Sequence, residues 1–143
     1  MIPVVMDTGA FVAGVFWRSE PHKCVKVWLT GVVSLVVTDA IYEEYERTLR
    51  RVKLQQGFDT DLSPWLTLVR DFGVWNSPDA LPSPVRRDPK DDIMIEAALA
   101  GQAHTIIARD KDLTTLEKPF GIHVVTPRQW LGTLPREIRR TLD

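Results

Sequence analysis

The chain has 143 residues, 44% hydrophobic and 26% charged, with a net charge of −1. These values predict one globular domain over residues 1–143 with a substantial core; no apolar run approaches the length of a transmembrane span, and the near-neutral charge argues weakly against nucleic acid without excluding it, since an acidic metal pocket would cancel a basic rim. Cys24 is the only cysteine, which rules out an internal disulfide and makes a cytoplasmic location the expectation. The short apolar start reaches Asp7 without a basic leader, unlike a signal peptide.

Ile2 to Met6 reads as a continuous apolar strand, the pattern of a parallel sheet covered on both faces. The residues after Gly9 continue in helical patterns. A helix is expected from Ser19 as N-cap, with Pro21 in its first turn and Gly31 as its stop. Leu35-Val36-Val37 is a second strand. Thr38 then opens a helix to about Lys53, with Ile41, Tyr45, Thr48, Leu49 and Val52 along one stripe. Ser63-Pro64 starts another helix through Asp71, ended by Gly73. Val74-Trp75 reads as a short strand or extended connection. Residues 77–89, with four prolines, read as a loop. Asp88-Pro89-Lys90-Asp91 starts a helix that Gly101 ends. Thr105–Ala108 and His123–Val125 are strands, Thr126-Pro127 caps a short helix with Trp130 and Leu131, and Arg136–Leu142 is an amphipathic, arginine-rich end. Short apolar strands alternating with helices predict an α/β sandwich with a mainly parallel sheet, whose functional crevice lies at the carboxyl ends of the strands.

That rule selects the acids. Asp7 and Asp110 each follow an apolar strand and would project from one sheet edge; either alone could be an ordinary turn residue. Glu44 falls roughly 60° from the centre of its helix's apolar stripe, at the border of the buried face, whereas Glu43 points to solvent. An ion pair with Arg47 or Arg51 is the competing use of Glu44. Asp88, Asp91 and Asp92 crowd a helix start. Capping and the helix dipole favour acids there, but capping needs one and a surplus repels without a cation. Asp112 fits a helix N-cap or a supporting role. Asp7, Glu44, Asp91 and Asp110 together would form an all-oxygen site for Mg²⁺ or Mn²⁺, whose usual chemistry is phosphodiester hydrolysis.

Val4-Val5-Met6-Asp7-Thr8, Thr38-Asp39-Ala40-Ile41-Tyr42-Glu43-Glu44-Tyr45, Arg87-Asp88-Pro89-Lys90-Asp91-Asp92 and Ile106-Ile107-Ala108-Arg109-Asp110-Lys111-Asp112-Leu113, closed by Val124–Leu131, resemble the PIN-domain nucleases. The likeness extends to the PIN-family toxins of bacterial toxin–antitoxin pairs. The resemblance implies a three-layer α/β/α sandwich and a metal-dependent endoribonuclease acting on single-stranded RNA. It carries over Asp7, Glu44, Asp91 and Asp110 as the metal site. Asp92 is the alternative to Asp91, and Thr8, Asp92 and Asp112 stand as supporting residues. A protein antitoxin and a homodimer follow from the resemblance alone. Gly9 departs from the family, which usually has a polar residue there, often asparagine; a weakened PIN-like binding module is therefore the second reading.

Asp7-Thr8-Gly9 also spells an aspartic-protease signature. That reading requires an all-β chain, and the helical patterns after Gly9 oppose it. A haloacid-dehalogenase-like phosphatase wants a second Asp where Gly9 stands. His22, His104 and His123 lack metal-ligand spacing, and the five tryptophans are expected mostly in the core or at interfaces. Arg47, Arg50, Arg51 and Lys53 read as a solvated helix face with phosphate contact as the lesser option, and Arg136, Arg139 and Arg140 are open to the same two uses.

Overall fold

The central apolar runs form strands because they are short, rich in β-branched residues and buried on both faces of the sheet, whereas Val74-Trp75 at its edge stays exposed. The computed structural model describes residues 1–80, 89–109 and 119–142. It has β1 (Ile2–Met6), β2 (Val33–Val37), β3 (Val74–Trp75), β4 (Thr105–Ile107) and β5 (His123–Val125), in the order β3-β2-β1-β4-β5. Every pairing is parallel, with Val4 opposite Leu35, Met6 opposite Ile107 and Val37 opposite Trp75. All five residues of β2 are buried, as expected for a strand with helices on both faces of its sheet. The fold is a three-layer α/β/α sandwich.

The chain moves from β1 outward to β2 and β3, then crosses back to place β4 on the other side of β1. The direction of winding therefore reverses between β1 and β4, and the carboxyl ends of these two strands flank the crevice where such folds place ligands. The ladder continues one residue beyond β1, where Asp7 N donates to Ile107 O at 2.9 Å.

Among the described residues the helices are α1 (Thr8–Phe16), α2 (Glu20–Leu29), α3 (Asp39–Gln56), α4 (Ser63–Phe72), α5 (Pro89–Ala100), α6 (Pro127–Gly132) and α7 (Arg136–Arg140). α1 carries no readable apolar stripe, because residues 10–15 are all buried; such a helix is apolar all round. Ser19 is the N-cap of α2 in position, yet its side chain makes no capping bond. Thr38 does cap α3, accepting from Ile41 N at 3.2 Å. α3 runs past Lys53 to Gln56, where Gly57 turns it off at φ 68°. β2 begins at Val33, two residues before the apolar triplet, and β4 stops at Ile107 although Ala108 N still bonds Val125 O at 2.8 Å. A 3₁₀ turn at Pro119–Gly121 precedes β5. Asp88, expected at the start of α5, and most of the 77–89 loop lie outside the described residues. Among the described residues, no helix is long and apolar enough to cross a membrane.

Candidate functional site

Asp7 stands where β1 ends and α1 begins, so strand and helix fix it from both sides. Its Oδ1 accepts from Ala10 N at 2.8 Å, capping α1 and locking the carboxylate's rotamer. Only 6% of the residue is exposed.

Glu44 reaches the same edge from the second turn of α3. Its Oε2 accepts from the hydroxyl of Thr8 at 3.0 Å, so the residue next to Asp7 ties the two acids together. Glu44 is 4% exposed, deeper than the border position its helix stripe predicts. α1 packs against α3 and covers that border. The competing ion pair is also present: Arg47 Nη2 lies 3.5 Å from Glu44 Oε1 and Nη1 lies 3.8 Å from Glu43 Oε1. The Arg47 side chain is largely exposed, so these pairs contribute little to stability. Glu43 faces solvent.

Tyr45 joins the group. It is fully buried, stacks on Phe11 with centroids 4.3 Å apart and planes within 7°, and donates its hydroxyl to Met6 O. Burial first, then the negative charges of Asp7 and Glu44, hold that hydroxyl's pKa well above its usual value. Both carboxylates thus bear on one phenol beneath the end of β1. The sequence stripe marks Tyr45 only as core. A tyrosine on a buried stripe next to a buried acid must find an acceptor, and that was the available signal.

Asp91 and Asp92 occupy the first turn of α5, and both are buried. α5 leads back to Gly101 and then into the start of β4, so its N-terminus lies at the carboxyl edge of the sheet. The helix dipole favours acids there. Burial of both leaves the choice between them open. Asp110 and Asp112 lie outside the described residues. Among the described residues, no three His, Cys, Asp or Glu side chains form a group able to hold a metal ion. The described geometry brings Asp7, Thr8 and Glu44 together and places Asp91 and Asp92 at their edge.

Gly9 is not imposed by the backbone. A Cβ built there meets nothing closer than Asp7 Oδ1, at an ordinary 3.9 Å. A Cβ is therefore sterically allowed beside the first acid, and the chain does not carry one.

None of the curated proteins compared with the chain matches it. A family model described as a PIN domain matches residues 3–112. That stretch runs from β1 through β4 and includes Asp7, Glu44, Asp91, Asp92, Asp110 and Asp112. Since the match spans most of the 143 residues, the chain belongs to the PIN-domain family.

Proposed function

We propose that this chain is a metal-dependent endoribonuclease that hydrolyses phosphodiesters in single-stranded RNA, leaving a 5′-phosphate and a 3′-hydroxyl. PIN domains are generally nucleases that use divalent metal ions. The observation that carries the reading is the pairing of buried Asp7 and Glu44 through Thr8 at the switch point of the sheet.

The donor set fits Mg²⁺ or Mn²⁺. Buried carboxylates are hard oxygen ligands, and several at one edge repel one another unless a cation is present. Asp7 and Glu44, paired through Thr8, would hold the ion together with Asp110, which follows β4, and with Asp91 drawn in from the start of α5 as the ion binds; Asp92 and Asp112 would support them. When bound, the ion activates water and offsets charge on the attacked phosphate. The chain's own part is positional. Ala10 N holds Asp7, Thr8 holds Glu44, and Tyr45 seals the floor below Asp7 against solvent. The same reading makes residues 1–143 one cytoplasmic domain acting as the toxin of a toxin–antitoxin pair, with a protein antitoxin and a homodimer as partners.

Gly9 favours a second reading, a catalytically weakened binding module, because the chain carries no Cβ there beside Asp7. Labelled single-stranded RNA incubated with Mn²⁺ separates the two. The nuclease reading expects cleavage that EDTA and Asp7→Asn each abolish. Cleavage surviving both would sink the metal mechanism, and binding without cleavage would favour the module.

A further inference from the structure

A cleft of about 740 Å³ opens where α1 gives way to α2, lined by Trp17, Arg18, Glu20, Lys23 and Arg109 among others. Arg109 follows β4 at the edge that carries Asp7. A second cleft of about 410 Å³ lies between α2 and the C-terminal helices, lined by Lys23, Arg136, Arg139 and Arg140 together with Leu131 and Leu142. Lys23 lines both. Lys23 stands between the two clefts, which follow one another from Arg109, at the end of β4, to α7.

The charge along this course is not that of the molecule. The whole chain sets 18 Lys and Arg against 19 Asp and Glu. Six of those cations, Arg18, Lys23, Arg109, Arg136, Arg139 and Arg140, line the two clefts, and Glu20 is the one acid among the described lining residues. The neutral total conceals a cationic stripe beside an acidic edge. Trp17 adds a second kind of contact. It is 43% exposed, and its ring is held edge-on by Phe16 at 5.9 Å and Phe58 at 5.6 Å. A braced, exposed indole beside a basic groove suits unpaired bases, which stack on aromatic faces while cations follow the backbone. Guanidinium groups suit the phosphates, since each offers a planar, bidentate donor fork.

We infer that this course is a binding track for the flank of a single-stranded RNA, carrying phosphates from Arg109 past Lys23 to Arg139 and Arg140, with a base stacked on Trp17. The inference rests on the nuclease reading for its substrate class and adds where the uncleaved strand lies. α7 lies beyond the residues matched by the family model.

The test measures binding of a long labelled oligouridylate to Asp7→Asn protein at salt concentrations from about 50 to 200 mM. Adding R139Q and R140Q should flatten the slope of log affinity against log salt by about 1.4, at about 0.7 per lost phosphate contact, and R139K with R140K should keep it. W17A should weaken binding about tenfold with the slope unchanged, because stacking releases no counterions. In an otherwise wild-type protein, R139Q with R140Q should slow cleavage of the long strand more than that of a very short one. An unchanged slope in the arginine variant overturns the track while cleavage still supports the nuclease. If no RNA is cleaved, the nuclease reading fails, and the slopes on Asp7→Asn protein still decide the track. Displacement of the RNA by polyglutamate, with W17A silent, would assign the course to an acidic protein and overturn the inference.

Discussion

Thr8 is the smallest part of the candidate site and the one most open to a clean substitution. Among the described residues its hydroxyl has one use, the 3.0 Å bond to Glu44. Thr8→Val keeps the volume and removes the donor, leaving a buried carboxylate oxygen short of a partner. We expect cleavage to fall about tenfold and the Mn²⁺ concentration for half-maximal activity to rise, with Thr8→Ser restoring both; a metal titration of each variant checks this. An unchanged metal requirement would show that Thr8 does not position Glu44. Tyr45→Phe tests the floor below. It strands Met6 O in the core while leaving the Phe11 stack, and should cost about 1–3 kcal/mol in urea unfolding. These residues differ in how far the sequence discloses them. Asp7 is readable because an apolar run ends on it, and the sidedness of Glu44 follows from its helix stripe. The burial of Glu44 was not readable, since α1 supplies it from elsewhere in the fold.

Elements with local punctuation were readable and those held by packing were not. Thr38 and Gly57 bound α3, and the reciprocal bonds of Thr126 and Gln129 start α6; each is a signal within four residues of the boundary it sets. α1 has no such periodic signal, because its core residues pack on several sides at once. Ser19 shows the limit of residue preference: it sits at the right position but the helix start does not use its hydroxyl. What holds α1 to α2 is close approach at Gly14, where an added Cβ would lie 2.7 Å from Val25 Cγ2 and 2.8 Å from Pro21 O. The second contact is backbone and cannot rotate away. Gly14→Ala should therefore destabilise the chain by about 1–3 kcal/mol despite alanine's better helix propensity. Equilibrium denaturation measures it, and an increase in stability would show that the two helices separate without strain. Thr38→Ala is the matching test of a cap, with an expected loss of about 1 kcal/mol.

At the scale of the whole molecule, the candidate site is coupled to the core through α1. Asp7 caps that helix, α1 packs on α2 at Gly14, and α2 carries the only cysteine of the chain. Cys24 is 1% exposed, with its Sγ 3.9 Å from Pro127 O at the start of α6. Burial first, then the charge of Glu20, pushes its thiol pKa up to about 12 from 9.0. The folded protein thus presents no reactive thiolate near neutral pH, and a thiol reagent must wait for α2 to open. The same shift stabilises the fold fully below pH 9 and is lost as pH rises from 9 towards 12, because the unfolded thiol ionises first. Labelling below pH 9 therefore reads the opening equilibrium. An ion that binds only the closed form should slow labelling by a factor of one plus its concentration over its Kd, about a hundredfold at 100 times Kd. We expect Mn²⁺ to produce this slowing in the wild-type chain and not in Asp7→Asn, at a concentration matching that required for cleavage. Equal slowing in both proteins would place the ion away from Asp7. No slowing in either, with cleavage intact, would show that α2 opens without disturbing the α1 cap. Because the reagent reacts at α2, on the far side of Gly14 from the acids, slowing that depends on Asp7 would link metal binding to the packing of the two helices.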